Sequence, residues 1–311
     1  MTGAKVVRSR LLPLTGTTYC FWKYWPMNLD EIKRQTNPFH PYNIMMLCFS
    51  LIVIGWCWHS TEMGIGKLLD GWSNMLSYIS GNPSIKDSGF FPPDFTGSRM
   101  VKYFLSMLET VQMALLALII SVLIAFPLSF LASRNTLAII IPGNQGMSLL
   151  LKKGLYAAVR LFANFSRSIN EIIWALLFVS AVGLGPMPGI LALGVHTSGV
   201  LIKLFSEGIE AIQQEPIDAL TATGAGFLKV IRYAVFPQIT PFFVSMTLYR
   251  LESDVRSATI LGFTGAGGIG VYLFDKLRSY ENRDVTTILI IIVITVALID
   301  RISALIRTRY T

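Results

Sequence analysis

Long apolar runs separated by short polar segments constrain the fold of this chain more than any other feature of its sequence. The runs lie at about 42–58, 103–132, 157–182, 190–205, 238–262 and 285–304. Roughly 20 apolar residues in a helix suffice to cross the hydrocarbon core of a bilayer. The runs lack the alternation of apolar and polar residues that marks membrane strands, and an open sheet cannot satisfy its backbone in lipid. We therefore predict an all-α integral membrane protein with about six transmembrane helices.

Composition and charge support this class of protein. Of 311 residues, 53% are hydrophobic and 14% are charged, whereas a soluble domain has about 25% charged residues. The net charge of +8 could suggest a nucleic-acid partner. However, the Lys and Arg residues are spread along the chain beside the apolar runs, as the positive-inside rule describes for membrane proteins. We therefore expect a lipid bilayer, and no nucleic acid, around this chain.

The distribution of basic residues also predicts the orientation. Six spans place both termini on the same side of the membrane. If that side is cytoplasmic, the inner segments carry more than twice as many Lys and Arg residues as the outer segments. Cytoplasmic N- and C-termini are therefore predicted.

The N-terminal residues 1–43 contain six Lys or Arg residues among several aromatics. We interpret them as a cytoplasmic or interfacial arm without a cleavable signal peptide, followed by a transmembrane domain at 44–311. Within that domain, residues 65–79 have helical apolar spacing, which predicts a helix along the membrane surface.

A polar stretch at 207–237 interrupts the apolar runs in the second half of the chain. Its sequence, EGIEAIQQEPIDALTATGAGFLKVIRYAVFP, is too polar for the lipid core, and the charge distribution places it inside. Gly224 can adopt a positive φ and end a first helix. Pro237 marks the return into the membrane. We predict a helix–turn–helix that docks onto another protein; an ordinary amphipathic loop is the alternative.

The fifth apolar run carries four charges, Arg250, Glu252, Asp254 and Arg256. Ionisable groups in a membrane span are costly and usually face the bundle interior or a watery cavity. Helical i,i+4 spacing pairs Arg250 with Asp254 and Glu252 with Arg256. Either these pairs fix the helices of the bundle, or an arginine lends its charge to a passing anion, since guanidinium binds oxyanions bidentately. For that second role we favour Arg256 over Arg250.

Two further polar features lie on neighbouring spans. His196, midway along the fourth span, either makes a hydrogen bond between helices or lines the translocation path. Arg167 and Glu171 stand at i,i+4 near the start of the third span, which predicts an anchoring ion pair.

The loop GAGGIG contains Gly265, Gly267, Gly268 and Gly270. It formally matches a dinucleotide-binding pattern, but it follows a membrane helix and no βαβ unit surrounds it. We interpret it as a tight turn at the outer mouth, acting as a gate or as a seat for a delivering protein. The sequence contains no Walker A motif, zinc-binding motif or nucleophile elbow, so we expect neither an enzyme nor a cofactor in this chain.

The spacing within the polar stretch resembles the EAA motif of ABC importer permeases. Asp218, Ala219 and Leu220 stand at the three opening positions, Gly224 follows at the glycine position, and Pro237 stands at the final proline. Asp218 and Leu220 depart from the Glu and second Ala of the motif.

Many other segments resemble the phosphonate-type permease family, over roughly residues 64–310. They include FPPDF (91–95), ASRN (132–135), RSINEIIWALLFV (167–179), HTSGVL (196–201) and YRLESDVRSATILGFTGAGGIG (249–270). One departure is Asn170, where the family usually has proline; we expect it to loosen the kink at the start of the third span.

The resemblance implies a type I ABC importer permease fold with a cytoplasmic coupling helix, in a bacterial inner membrane. It also implies a homodimer, two ATP-binding subunits that carry ATP and Mg, and an extracytoplasmic substrate-binding protein. The implied substrate is a phosphonate, phosphite or phosphate. The alternatives are a secondary transporter or a channel that passes an anion without ATPase partners, and a membrane enzyme.

Overall fold

A computed structural model gives the fold of this chain and describes residues 41–61, 64–81, 89–141 and 146–309. The predicted arm at 1–43 lies outside these residues, apart from its last three. All regular elements in the described residues are helices, which confirms the predicted all-α class. The chain divides into two compact units, Met1–Trp72 and Ser73–Thr311.

The first unit contains helix α1 and the beginning of helix α2. Helix α1, Pro41–Ser60, buries none of its residues, which a membrane span tolerates because lipid tails are themselves apolar. Helix α2, Ile65–Ser80, continues from the first unit into the second. Its extent confirms the helix predicted at 65–79, whereas its position along the membrane surface stays a prediction.

The second unit contains ten further helices and two short helical turns. The helices are α3 (Gly97–Leu131), α4 (Arg134–Ile140), α5 (Met147–Ser168), α6 (Glu171–Val182), α7 (Pro186–Glu210), α8 (Glu215–Ala222), α9 (Phe227–Val230), α10 (Phe236–Leu261), α11 (Ile269–Arg278) and α12 (Asn282–Arg307). A π-helical turn at Ile231–Val235 joins α9 to α10, and a 3₁₀ turn at Gly262–Thr264 follows α10.

The number of candidate membrane spans agrees with the sequence-based expectation. Among the described helices, α1, α3, α7 and α12 are each long and apolar enough to cross a bilayer. Two bent pairs raise the number to as many as six: α5 with α6, and Phe227–Thr264 with α11. Most predicted spans therefore correspond to single helices, with ends shifted by several residues.

The third predicted span, within 157–182, is divided between two helices. Helices α5 and α6 meet at an angle of 89°, because Ile169 and Asn170 have extended backbone conformations. Asn170 also overturns the expectation that it loosens the bend. Its side-chain Oδ1 accepts a hydrogen bond from the backbone N–H of Ile172 at 2.9 Å, so Asn170 caps α6 and stabilises the new direction.

Helix α7 lies at the centre of the second unit and packs against α3, α5, α6 and α10. Two apolar clusters surround it, and we name them outer and inner after the orientation that the sequence predicts. The outer cluster includes Leu193 of α7 with Tyr103 and Leu261. The inner cluster includes Leu201 and Phe205 of α7, together with residues of α3, α5 and α10. The polar residue Thr197 lies on α7 between these two clusters and is fully buried.

Small residues allow the neighbouring helices to approach α7 closely. A Cβ atom at Gly199 would lie 2.8 Å from the carbonyl oxygen of Ala163 on α5. On the side of α3, the Ser121 hydroxyl donates a hydrogen bond of 2.9 Å to the carbonyl of Gly194. Close backbone contact and interhelical hydrogen bonds are the forces that hold membrane helices together, because lipid supplies no hydrophobic drive between them.

The contact at Gly199 yields a matched test of this packing. We expect Gly199→Ala to destabilise the bundle by about 1–3 kcal/mol, because rigid backbone atoms of α5 occupy the space of the new methyl group. Gly194→Ala, five residues earlier on the same helix, meets its nearest neighbour at 3.7 Å and serves as the control. Thermal unfolding of the purified chains in detergent measures both variants; equal melting temperatures would contradict the proposed packing.

Candidate functional site

Helix α8 connects the central helix α7 to α10 and has two distinct faces. Ile217 is 4% exposed and lies in the inner apolar cluster, and Leu220 packs against that cluster. Asp218 and Ala219 are exposed on the other face. The larger residue at the third motif position, Leu220, is therefore directed at the chain's own core, and the acidic and small residues remain accessible.

At the end of α8, Gly224 adopts the positive φ that was predicted for it, and the helix ends there. Gly224 has a φ of +75°, and its N–H donates to the carbonyl of Thr221 at 3.0 Å. The next N–H, of Ala225, donates to the carbonyl of Leu220 at 3.3 Å. These two bonds form a Schellman motif, which requires a left-handed residue where glycine is favoured. Pro237 lies in the first turn of α10, as expected for a helix start.

A basic clamp holds the end of α7 immediately before α8. Both carboxylate oxygens of Glu210 accept bonds of 3.1 Å from Nη2 of Arg160 on α5. Arg160 Nε also donates to the carbonyl of Ala132 at the end of α3. The Arg160 guanidinium lies 4.6 Å from the ring centre of Tyr156. Arg160 thus joins α3, α5 and α7 at one point, a contact that nothing in the sequence spacing indicated.

Within the bundle, Arg250 and Asp254 form the ion pair predicted from their spacing. Arg250 Nε lies 2.9 Å from Asp254 Oδ1. The Thr197 hydroxyl lies 2.9 and 3.0 Å from the two carboxylate oxygens and accepts a bond of 3.1 Å from Arg250. Asp254 is fully buried and the Arg250 side chain is 12% exposed. The cluster therefore neutralises two charges inside the bundle and links α10 to α7.

His196 and Glu171 form a second polar link beside this pair. His196 Nδ1 lies 2.9 Å from the carbonyl of Ile169, and Nε2 lies 3.6 Å from Glu171. The Ser257 hydroxyl donates a bond of 2.6 Å to Glu171. The interhelical hydrogen bond proposed for His196 is present. The predicted ion pair of Arg167 with Glu171 is wrong, because the 89° bend separates their helices and Arg167 Nε instead donates to Asn164.

The second predicted pair, Arg256 with Glu252, is also present, but its surroundings differ. Arg256 Nη1 lies 2.7 Å from Glu252 Oε1, and 47% of the Arg256 side chain is exposed. Asp300 of α12 lies 4.0 Å away. Of the two arginines on α10, Arg256 is therefore the accessible one, whereas Arg250 is fully engaged within the bundle.

The glycine-rich loop is closely packed instead of open. Gly265, Gly267 and Gly268 all have positive φ angles between 73° and 86°. A Cβ at Gly268 would lie 2.5 Å from the Thr110 hydroxyl of α3, and that hydroxyl accepts a bond from the N–H of Ile269. A Cβ at Gly270 would overlap the carbonyl oxygen of Thr259. The loop therefore packs the end of α10 and the start of α11 closely against α3.

Charged residues tie the loops at this end of the bundle to α12. The turn at 89–96 packs on α12, where Arg283 Nε donates to the carbonyl of Pro92 at 2.7 Å. Hydrogen bonds from Thr96 lower the pKa of Asp94 in this turn. The Lys276 ammonium, 2.8 Å from Glu281, lowers the pKa of that carboxyl. Both carboxyls are thus held in their charged form.

The comparison with known protein families identifies the chain. The sequence profile of the family described as "Binding-protein-dependent transport system inner membrane component" matches residues 135–310. The chain belongs to this family. It is therefore a multi-pass transport permease of the inner membrane and not an enzyme. Membership implies ATPase and substrate-binding partners and a dimeric arrangement in general.

Named relatives and solved structures agree with this assignment. The permease is 32% identical to the phosphite transport system permease protein PtxC of Stutzerimonas stutzeri, over 85% of this chain and 87% of the relative. It is 46% identical to the putative cryptic phosphonate transport system permease protein PhnE2 of Escherichia coli K12, over 39% of this chain and 98% of the relative.

The fold resembles that of ABC importer permeases. A chain of the inward-facing MetNI methionine ABC transporter superposes with a TM-score of 0.58 at 22% identity, covering 70% of the permease and 100% of that chain. A chain of a bacterial ABC transporter that imports alginate superposes with a TM-score of 0.51 at 17% identity. At these identities the similarity shows the fold alone, and it confirms the predicted type I importer architecture.

The two arginines of α10 should differ sharply in their contribution to stability. We expect Arg250→Ala to destabilise the permease by about 3–5 kcal/mol, because Asp254 would remain buried without its counter-charge. Arg256→Ala should cost less than about 1 kcal/mol, because its pair is half-exposed and screened. Chemical denaturation in detergent micelles measures both variants. Arg250→Met combined with Asp254→Leu should recover most of the lost stability; equal losses for Arg250→Ala and Arg256→Ala would refute the distinction.

Proposed function

We propose that this permease is the transmembrane subunit of an ATP-driven importer for phosphite, phosphonate or a related phosphorus oxyanion. The names of its relatives, a phosphite transport permease and a phosphonate transport permease, support the substrate class. The observation that carries the mechanism is the two-faced character of helix α8. It lies between two membrane-spanning helices, with its apolar face in the core and its acidic and small residues exposed.

Helix α8 is the proposed docking element for a separate ATPase. Asp218, Ala219 and Gly224 offer an exposed surface whose small side chains allow close approach by a partner groove. Leu220 fixes the helix to the permease core from the other side, and Pro237 fixes the start of α10. In a homodimer of the permease, two such helices would bind two ATPase subunits, and ATP and Mg would reside on those subunits.

The clamp around Glu210 offers a route by which ATPase closure would move the bundle. Glu210 ends α7, a few residues before α8, and Arg160 joins it to α5 and to the end of α3. On the other side, the N–H of Gln213 donates a bond of 3.0 Å to Gln238 of α10. A displacement of α8 therefore acts on both neighbouring spans, and alternating access follows if these spans move as rigid elements.

Arg256 is the residue that we place on the translocation path. Its guanidinium is half-exposed, with Glu252 at 2.7 Å and Asp300 only at 4.0 Å, so an oxyanion can share it. Arg250 and Asp254 are bonded to each other, and His196 is bonded to the carbonyl of Ile169, so none of the three is available to an anion in the same way. Arg256→Ala, which is already one of the two stability variants, should therefore reduce uptake while keeping a normal melting temperature. Normal uptake by that variant would remove Arg256 from the path.

The proposed topology places α8 and both termini in the cytoplasm. The glycine loop at 265–270 then lies at the outer side, where an extracytoplasmic substrate-binding protein would deliver its cargo. The tight packing of Gly267 and Gly268 against Pro186 and Thr110 supports a role as an outer gate that opens only when α3, α7 and α10 separate.

Reconstituted transport tests the proposal directly. The permease is placed in liposomes with its ATPase and binding-protein partners, and phosphite or phosphonate uptake is followed with ATP, without ATP, and without the ATPase. We expect uptake only when ATP is hydrolysed. Uptake that persists without the ATPase would instead support a secondary transporter or a channel for anions.

Two neighbouring glycines provide a matched test of the docking helix. Gly224→Val should uncouple or dissociate the ATPase, because valine at a φ of +75° is strained and the Schellman motif would be lost. Gly226→Val is the control, because Gly226 has a φ of −67° and its Cβ position is open. Co-purification of the ATPase and ATP-driven uptake are measured for both. Full coupling in Gly224→Val would show that the docking helix is wrongly placed.

A further inference from the structure

A basic cavity lies between α4 and α5, outside the docking helix and the ion cluster. Its volume is about 410 Å³, and three cationic side chains line it: Arg134, Lys152 and Lys153. Its remaining wall is apolar and includes Leu137 and Leu149. We propose that this cavity binds one anionic phospholipid, with the phosphate headgroup against the basic residues and the start of an acyl chain against the leucines.

The position of the cavity within the fold fits a lipid at the membrane interface. Arg134 begins α4 three residues after Leu131, the last residue of the long membrane helix α3. Close to the cavity, Met147, Leu150 and Leu151 at the start of α5 are 78%, 69% and 59% exposed. A surface that changes from basic to apolar within one helical turn matches the change from headgroup to hydrocarbon in a lipid.

The charge of the cavity favours an anionic ligand. None of the described residues that line it is acidic. The nearby Glu210 accepts bonds from the Arg160 guanidinium and from the backbone N–H of Arg134, so its single negative charge is shared between two arginines and leaves the cavity net positive. Arg134 Nε donates to the Tyr156 hydroxyl at 3.2 Å, which fixes the guanidinium on the cavity wall and leaves its other N–H groups for phosphate oxygens.

The proposed lipid differs from the transported substrate in chemistry and in place. Free phosphite or phosphate has no acyl chain, and the leucine wall would contribute nothing to its binding. A phospholipid uses both halves of the cavity, since basic pockets beside membrane helices recognise anionic headgroups. Tyr156 and Arg134 adjoin the clamp at Glu210, so a bound lipid would brace the end of α7. This inference depends on membrane insertion and stands apart from the proposed substrate and ATPase coupling.

The experiment uses the purified full-length permease, titrated with phosphatidylglycerol and followed by native mass spectrometry. We expect one tightly bound lipid per chain. Lys153→Gln should lower its affinity about fivefold, and the double variant Arg134→Gln, Lys153→Gln roughly 25-fold, since each basic residue contributes about one fivefold step. Lys153→Arg should keep the affinity. Lys102→Gln, at the far end of α3, is the matched control and should bind normally.

A second variant separates a lipid site from a simple patch of charge. Ala138→Trp would fill the apolar part of the cavity without altering its charge, and it should lower phosphatidylglycerol binding at least tenfold. Phosphatidylcholine should bind weakly, and inorganic phosphate should not displace the lipid. Equal binding of phosphatidylcholine, displacement by phosphate, or unchanged binding in both Ala138→Trp and the double variant would each overturn the proposal. Loss of ATPase co-purification with lipid binding intact in the double variant would also overturn it, in favour of a protein-binding surface.

Discussion

The whole bundle depends on satisfying buried polar groups around the central helix α7. In the hydrocarbon core of a membrane there is no water to hydrogen-bond an unpaired polar group, so burying such a group costs several kcal/mol. Thr197 lies on α7 between two apolar clusters, and its hydroxyl contacts both Arg250 and Asp254 of α10. One hydroxyl thus completes an ion pair that would otherwise be destabilising. The same polar layer fixes the positions of α7 and α10 relative to each other.

The construction of α8 follows from its connection to that layer. Because α7 is fixed in the middle by Thr197 and at its end by the clamp of Arg160 with Glu210, the chain emerges towards α8 in a defined direction. Ile217 and Leu220 then bind α8 to the inner apolar cluster. In its proposed role as the docking element, a helix that is held on one face and exposed on the other can transmit a displacement, which a flexible loop could not do.

Two kinds of contact hold the helices together: close backbone packing at small residues, and directional bonds between polar or charged residues. At Gly199, backbone atoms of α5 and α7 approach so closely that no side chain fits between them. Elsewhere the helices are joined by directional bonds, as between Glu171 and Ser257 or His196 and Ile169. Dispersion from close contact and hydrogen bonding together replace the hydrophobic effect, which is weak between helices surrounded by lipid.

The sequence by itself determined the class of protein, the approximate spans and the pairs on one helix. The length of an apolar run can be counted directly along the sequence. Pairs at i,i+4, such as Arg256 with Glu252, follow from helical periodicity alone. The positive φ of Gly224 was predictable for the same reason, because it depends on local turn chemistry.

The tertiary structure alone decided which groups meet across helices. The 89° bend at Ile169–Asn170 moved Glu171 away from Arg167 and towards Ser257, 86 residues along the chain. Likewise, Arg160 and Glu210 are 50 residues apart and meet only because α5 packs against α7. The physical reason is that interhelical contacts depend on the rotation and crossing of whole helices, which packing sets and local sequence patterns do not encode.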